Sequence, residues 1–236
     1  MKLFTLLAIS GLLFLSFDML TPQKNLHQQW DSMLKKYVST TGKVDYQNWK
    51  EDPQGIEQYI SHLEKNTPLD KWSKEHKLAY WINAYNAVTV KLILDHYPIH
   101  SIRDIEEPWN TKLFSTAGND YTLDEIEHDI IRKMNEPRIH FAVNCTAKSC
   151  PKLQKSAFTS SDLEEQLEKA TFEYLNDHSM NIVNQQSVQL SKIFEWFGED
   201  FGDKKEKIEF VEKYTKVDID PQAKLSYLPY NWELND

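Results

Sequence analysis

The sequence predicts an α+β or α/β single domain, with a small central β-sheet covered by helices and a helical N-terminal part. Three observations carry this expectation. Several stretches repeat apolar residues at three- and four-residue steps, the period of a helix buried on one face. Short runs at 139–143, 181–183 and 187–190 read instead as strands. The chain of 236 residues, 40% of them hydrophobic, is long enough for one sizeable core and shows no repeat, low-complexity segment or linker.

Residues 1–20 stand apart. Lys2 precedes a nearly uncharged run over 3–17, the pattern of an export signal and too short for a comfortable membrane span. No small-x-small pair precedes Asp18, so an uncleaved anchor is the alternative, and a buried N-terminal helix competes with both. No cysteine lies nearby, which excludes lipoprotein attachment. The expectation is an exported protein of the periplasm or cell envelope, touching membrane only through this segment if it stays uncleaved. Residues 21–236 then form the domain, with 21–70 a helical extension and 71–236 the core.

Over 22–39, Leu26, Trp30, Met33, Leu34 and Tyr37 mark a helix that Thr41-Gly42 ends. Residues 43–46 are extended or loop-like, and 56–63 form a short helix. The strongest helix is 72–96, where Leu78, Trp81, Ile82, Tyr85, Val88, Thr89 and Leu92 make one broad apolar arc. Asn83 and Asn86 share a flank of it. Asparagine amides compete for backbone partners within a helix, so the pair points either to a polar task or to amides that hold a neighbouring loop. Residues 98–118 are irregular. Thr122 and Glu125 form a capping box that opens a helix to 134, with Leu123, Ile126, Ile130 and Met134 as its stripe. Glu127 falls inside that stripe, where a carboxylate must be paired or shift its pKa.

The run 139–143, bounded by Pro137, reads as a strand with Ile139, Phe141 and Val143 on one face and His140, Ala142 and Asn144 on the other. A polar loop carrying both cysteines of the chain, Cys145 and Cys150, follows it. Ser161 and Glu164 suggest a second boxed helix, with Leu163, Leu167, Ala170 and Tyr174 inward. Residues 181–183 and 187–190 suggest a hairpin. A short helix over 191–197 stops at Gly198, another spans 204–214, and an aromatic tail over 225–232 packs on the body.

Charge and residue types narrow the function. Thirty-six acidic against 27 basic residues give a net charge of −9, which argues against nucleic acid as the main partner. No cofactor is called for. Cys145 as a nucleophile needs a base within reach and an orienting group behind it. His140 is near in sequence, but five residues of extended strand span about 16 Å and put the two on opposite faces. His128, on the preceding helix, is freer to meet either cysteine. Glu127 is placed to hold a histidine tautomer, and Asn83 or Asn86 to orient the base or donate to an oxyanion. The catalytic candidates are therefore Cys145, His128, His140 and Glu127. The binding candidates are Asn83, Asn86, Asn144, Ser149, Cys150 and Arg138. The reaction would be acyl transfer or amide hydrolysis through a thioester, on a papain-like or transglutaminase-like plan, an analogy in residue types alone.

Equally weighted is a non-enzymatic envelope protein that uses the same cleft for a peptide or glycan. In that reading Glu127 and His128 form a buried ion pair with Arg138 or another helix, and the cysteines are a disulfide or inert thiols. Metal binding ranks third, because no close Cys-x-x-Cys or His-x-x-x-His pair exists. Ser149 lacks a Gly-x-Ser-x-Gly context and is a weaker nucleophile still.

Several motifs in order resemble the bacterial members of the family called domain of unknown function 547. They are Trp81-Ile-Asn-Ala-Tyr-Asn-Ala87, Ser101-Ile-Arg-Asp-Ile105, Glu127-His128, Arg138-Ile-His-Phe-Ala-Val-Asn-Cys145 with Ser149-Cys-Pro151, Leu190-Ser-Lys-Ile-Phe194 and Tyr227-Leu-Pro-Tyr230. Gly42-Lys-Val-Asp-Tyr46 resembles a stretch often found upstream, so the likeness covers roughly residues 25–232. The family pattern usually reads Cys-Gly where this chain has Cys145-Thr146. Its first cysteine is the steadier of the two, which implies Cys145 over Cys150 as the nucleophile.

Overall fold

A computed structural model describes residues 26–236. The expected export segment and the start of the first expected helix lie outside the described residues. Three helices come first: α1 (Gln28–Tyr37), α2 (Tyr46–Lys50) and α3 (Gln54–Lys65). Their apolar faces meet in an aromatic packing in which the Trp30 and Tyr59 rings stack with centroids 5.7 Å apart. Helix α4 (Lys74–His96) starts where the Ser73 side chain accepts from the His76 N–H. It is buried on nearly every face between Leu78 and Leu94, because α3, α2 and the helical turns after 122 all pack on it.

A two-residue turn, Ala117-Gly118, has both φ angles positive and joins the hairpin β1 (Phe114–Thr116) and β2 (Asn119–Tyr121). The expected Thr122–Glu125 capping box is present. The helix it opens changes gauge, from an α-turn α5 (Leu123–Glu125) to a π-helical stretch (Ile126–Ile131) and a 3-10 turn (Arg132–Met134). The wider π-turn makes Glu127 and Ile131 buried, whereas Ile130 and Met134, expected on the stripe, are only partly so.

The expected strand at 139–143 is not formed. Pro137–Phe141 is a 3-10 helix with Pro137 in its first turn, and the Glu136 side chain caps it by accepting from the Arg138 N–H. Residues 139 to 144 are all buried, so both faces of the supposed alternation are inside. The backbone groups that a strand would pair are taken by a side chain: Asn86 donates to the Ala142 carbonyl (2.9 Å) and accepts from the Asn144 N–H (2.8 Å). The site-bearing central sheet expected from sequence is accordingly replaced by helical turns.

Helix α6 (Leu163–Leu175) follows. Its expected Ser161–Glu164 box does not form: Asp162 is the cap residue without a side-chain bond, and Glu164 is drawn to Arg138 instead. The expected hairpin is β3 (Ile182–Asn184) with β4 (Ser187–Leu190), antiparallel. Then come α7 (Ile193–Trp196), a 3-10 turn (Gly198–Phe201), α8 (Lys204–Thr215) and β5 (Lys224–Tyr227), which pairs parallel to β4. Among the described residues, two small sheets, of two and three strands, with many helices make this an α+β fold.

The larger core cluster surrounds α4. A second, aromatic cluster lies among α6, β4, α7 and α8, with Phe141, Tyr174, Phe194 and Phe201 at its centre. Ile139, Ala142 and Val143 belong to the first cluster and Phe141 to the second. The 3-10 segment is thus wedged between the two, which sets the position of everything that follows it. Among the described residues no helix is long and apolar enough to cross a membrane.

Candidate active site

The cysteine loop hangs on amides. Asn86 holds the 142–144 backbone as described. One helical turn earlier, Asn83 makes the same two bonds to Phe158, donating to its carbonyl (2.8 Å) and accepting from its N–H (3.0 Å). Asn144 continues the clamp: its amide donates to the Pro151 carbonyl (2.6 Å) and its oxygen accepts from the Thr146 N–H (2.9 Å). All three asparagines are buried and occupied by backbone. Asn86 and Asn144 mount the loop and Asn83 ties down the Phe158 backbone, each spending one donor and one acceptor on main-chain groups. Thr146, buried, sits at φ +66° with its hydroxyl unpartnered among the described residues. A β-branched residue is strained in that conformation, and glycine is not.

Beside the loop lies a cavity of about 300 Å³. Cys145, Cys150, Glu127, His128 and His140 all line it, with Tyr85 and Tyr230. The fold therefore gathers all four catalytic candidates around one opening. Arg138 lies elsewhere, in an ion-pair network with Glu136, Glu164 and Glu168 that ties the 3-10 turn to α6. Ser149 is spent on the C-terminal tail, its Oγ accepting from the Asn231 N–H.

The two histidines differ in what holds them. His140 is buried, and its Nε2 lies 2.6 Å from Asp200 Oδ2. A carboxylate only accepts, so the proton sits on Nε2 and Nδ1 carries the lone pair. That Nδ1 is unpartnered among the described residues and 4.0 Å from Glu127 Oε1. Burial lowers the pKa of His140, overriding the Asp200 hydrogen bond that favours its charged form. His128 is more exposed. Its Nδ1 is 2.5 Å from Arg132 Nη1, and since guanidinium only donates, that nitrogen is the acceptor. Its Nε2 faces Asp124 at 3.5 Å. His128 is thus oriented away from base chemistry on both nitrogens.

Asp200 is the hub. Besides His140 it takes a two-pronged contact from Arg132, Nε to Oδ2 at 2.6 Å and Nη2 to Oδ1 at 2.9 Å. Burial works against its ionisation, but the bonds from His140 and Arg132 prevail and hold the carboxyl well below the usual range. Glu127, expected to hold a histidine, is buried as expected but bonds to the Tyr85 hydroxyl and stands off from His140. Burial raises its pKa to about 7, against the pull of that hydrogen bond.

Cys145 and Cys150 are free thiols with sulfurs 2.8 Å apart. The Cys145 N–H donates to Cys150 Sγ at 2.8 Å. The hydrogen bond with Cys150 lowers the Cys145 pKa, against burial, with smaller help from Tyr230 and the Ala147 N–H. Burial pushes the Cys150 thiol well up. Tyr230 Oη lies 3.2 Å from Cys145 Sγ. The tail that delivers it runs along the loop: the Ser149 N–H donates to the Asn231 carbonyl, and the Lys148 N–H to that of Glu233. Trp196, 47% exposed, packs with Tyr230 and Trp232 at the mouth, with centroids 4.8 and 5.6 Å away.

Asp200, Arg132, Tyr85 and Tyr230 were not picked out by sequence reasoning. Asp200 sits in an acidic surface-like turn with no local signal. Tyr230 had one: it belongs to the Tyr227-Leu-Pro-Tyr230 motif, which no helical or strand pattern requires.

Residues 69–175 match the model of a family described as "Protein of unknown function, DUF547", and over that span the chain resembles the family. The match contains Asn83, Asn86, Glu127, His140 and both cysteines, and stops short of Asp200 and Tyr230. No curated protein and no solved structure matches the chain.

Proposed function

We propose that the protein is a cysteine-dependent acyl transferase or amide hydrolase. Cys145 is the nucleophile, His140 Nδ1 the base, and Asp200 the group that fixes the His140 tautomer. The observation that carries this reading is the buried His140, with Nε2 tied to Asp200 and Nδ1 unpartnered among the described residues, lining the same cavity as Cys145. In the first half-reaction Nδ1 takes the thiol proton, Sγ attacks the acyl carbon, and the leaving group departs with that proton as a thioester forms. Water or another acceptor then gives its proton to Nδ1 and releases the acyl group. Glu127, close to half protonated near pH 7, faces Nδ1 and supplies negative charge that favours the imidazolium when ionised. Among the described residues no lysine or arginine lines the cavity, so a neutral acyl group suits it better than one bearing a free carboxylate.

The half-exposed Trp196 supports a second reading, a non-catalytic envelope protein that binds a peptide or glycan at the same mouth. Export to the cell envelope belongs to both readings and rests on Lys2 and the apolar run after it.

Intact-protein and peptide mass spectrometry after incubation with p-nitrophenyl acetate separates the two. Trypsin cleaves after Lys148, so Cys145 and Cys150 fall on different peptides. The catalytic reading expects an acetyl group on the Cys145 peptide that turns over, and none in Cys145→Ser. An unmodified Cys145 with p-nitrophenolate released no faster than in buffer would leave the binding reading in its place.

A further inference from the structure

We infer that Tyr230 is a catalytic residue of this reaction: its hydroxyl donates first to the Cys145 thiolate and then to the oxyanion that forms on the acyl carbon. The inference rests on the thiol reading above and adds the group that stabilises its transition state.

An acyl transfer needs donors aimed at the oxygen that becomes negative. Cysteine hydrolases of many folds can use the nucleophile's own amide for this. Here that amide is taken, since the Cys145 N–H donates to Cys150 Sγ. The next one is taken too, since the Thr146 N–H donates to Asn144. Besides the Cys150 thiol, which bonds the sulfur itself, the donors at Cys145 Sγ are the Ala147 N–H and the Tyr230 hydroxyl, and of these Tyr230 is the side chain at the cavity. The oxygen of a tetrahedral adduct is only two bonds from Sγ, so a hydroxyl 3.2 Å from Sγ is within reach of both atoms in turn.

Tyr230 is suited to donate. Burial raises its pKa well above the ordinary value, and the two neighbouring thiols push it further, so it keeps its proton wherever Cys145 has lost its own. Its position is held from both sides. Before it, the Leu228 N–H donates to the Leu190 carbonyl at 2.8 Å. After it, Asn231 exchanges two bonds with Ser149. The ring itself packs against both Trp196 and Trp232 in a three-ring cluster, with centroids 4.8 and 4.7 Å away. A donor so fixed needs no reorganisation during the reaction. As Sγ bonds to carbon, the carbonyl π pair moves to oxygen and the Tyr230 hydrogen bond shifts from sulfur to that oxygen. Tyr230 transfers no proton. Collapse returns the pair, breaks the bond to the leaving group, and His140 Nδ1 supplies the leaving group's proton.

Two reagents and the isosteric Tyr230→Phe separate these roles. Iodoacetamide alkylates the thiolate by displacement and makes no oxyanion, whereas p-nitrophenyl acetate does make one. Both are read on the Cys145 peptide against pH, in reductant-treated protein then freed of reductant. In Tyr230→Phe the alkylation midpoint should rise by about one pH unit. Above that midpoint alkylation should match wild type, while acetylation should fall by about 10²-fold. Equal acetylation in the variant and wild type overturns the inference, and so does an equal fall of both plateau rates, which would mark a structural role. A wild-type Cys145 that neither alkylates early nor acetylates at all removes the thiol reading itself, and this inference with it.

Discussion

Residues 69–175 and the stretch that follows them contribute to the cavity in different ways. The first region supplies the groups proposed to react, Cys145 and His140, together with the asparagine clamps that hold the backbone around them. The second supplies what tunes them: Asp200, sixty residues beyond His140, and Tyr230, eighty-five beyond Cys145. His140 is held because its 3-10 segment lies between two cores, and Cys145 because its loop is bonded locally. The tuning groups arrive on a 3-10 turn and a tail, elements whose positions depend on the second, aromatic core. A mount and a chemistry can therefore be perturbed separately, and the variants below do so from the largest effect to the smallest.

Asp200→Asn tests the distant half. The amide is close in size to the carboxylate but offers His140 either a competing donor or a weaker acceptor, and it leaves Arg132 without its counter-ion. Acetylation of Cys145 should fall by about 10²-fold or more. A fall below threefold would mean that the C-terminal region only packs against the site.

Asn86→Ala tests the near half. It strips partners from the Ala142 carbonyl and the Asn144 N–H, both buried, and should cost about 3 kcal/mol in urea unfolding. Asn83→Ala, which frees the Phe158 backbone, should cost a similar amount while leaving Cys145 alkylation near wild type.

Glu127 links mount and chemistry through pH. Its pKa is about 7 in the fold against an ordinary 4.5. The folded state therefore holds the proton more tightly, so stability is greatest below the unfolded value and is lost as pH rises towards 7. The loss approaches about 3 kcal/mol once the carboxyl ionises in both states. Glu127→Gln should flatten this part of the stability-versus-pH curve. An unchanged curve would show that Glu127 is solvated.

Thr146→Gly should have the smallest effect, and in the stabilising direction. It relieves a β-branched residue at positive φ and removes a buried, unpartnered hydroxyl, worth about 1 kcal/mol net. A loss of stability would mean that the Thr146 methyl packs well enough to outweigh both.

Legibility in sequence followed the range of the interactions. Helix α4, the Thr122 capping box and the β3–β4 hairpin were readable because periodicity, caps and turns are local. The burial of Glu127 was readable for the same reason, although its partner was not. The strand expected at 139–143 failed because apolar residues that alternate with Ala and His look half-buried, whereas two cores cover this segment on both sides. That error also put His140 and Cys145 on opposite faces of a strand, whereas a 3-10 turn and a bent loop bring both to the lining of one cavity. Asp200 was invisible because its role is created by Arg132 and His140, neither of which is near it in the chain.

The central claim is that His140 activates Cys145. The most direct measurement is the rate of iodoacetamide alkylation of the Cys145 peptide at pH 7 in wild type and in His140→Ala, with His128→Ala as the control. The account predicts a fall of at least about tenfold in His140→Ala and little change in His128→Ala. Equal rates in wild type and His140→Ala, or a fall only in His128→Ala, would contradict it.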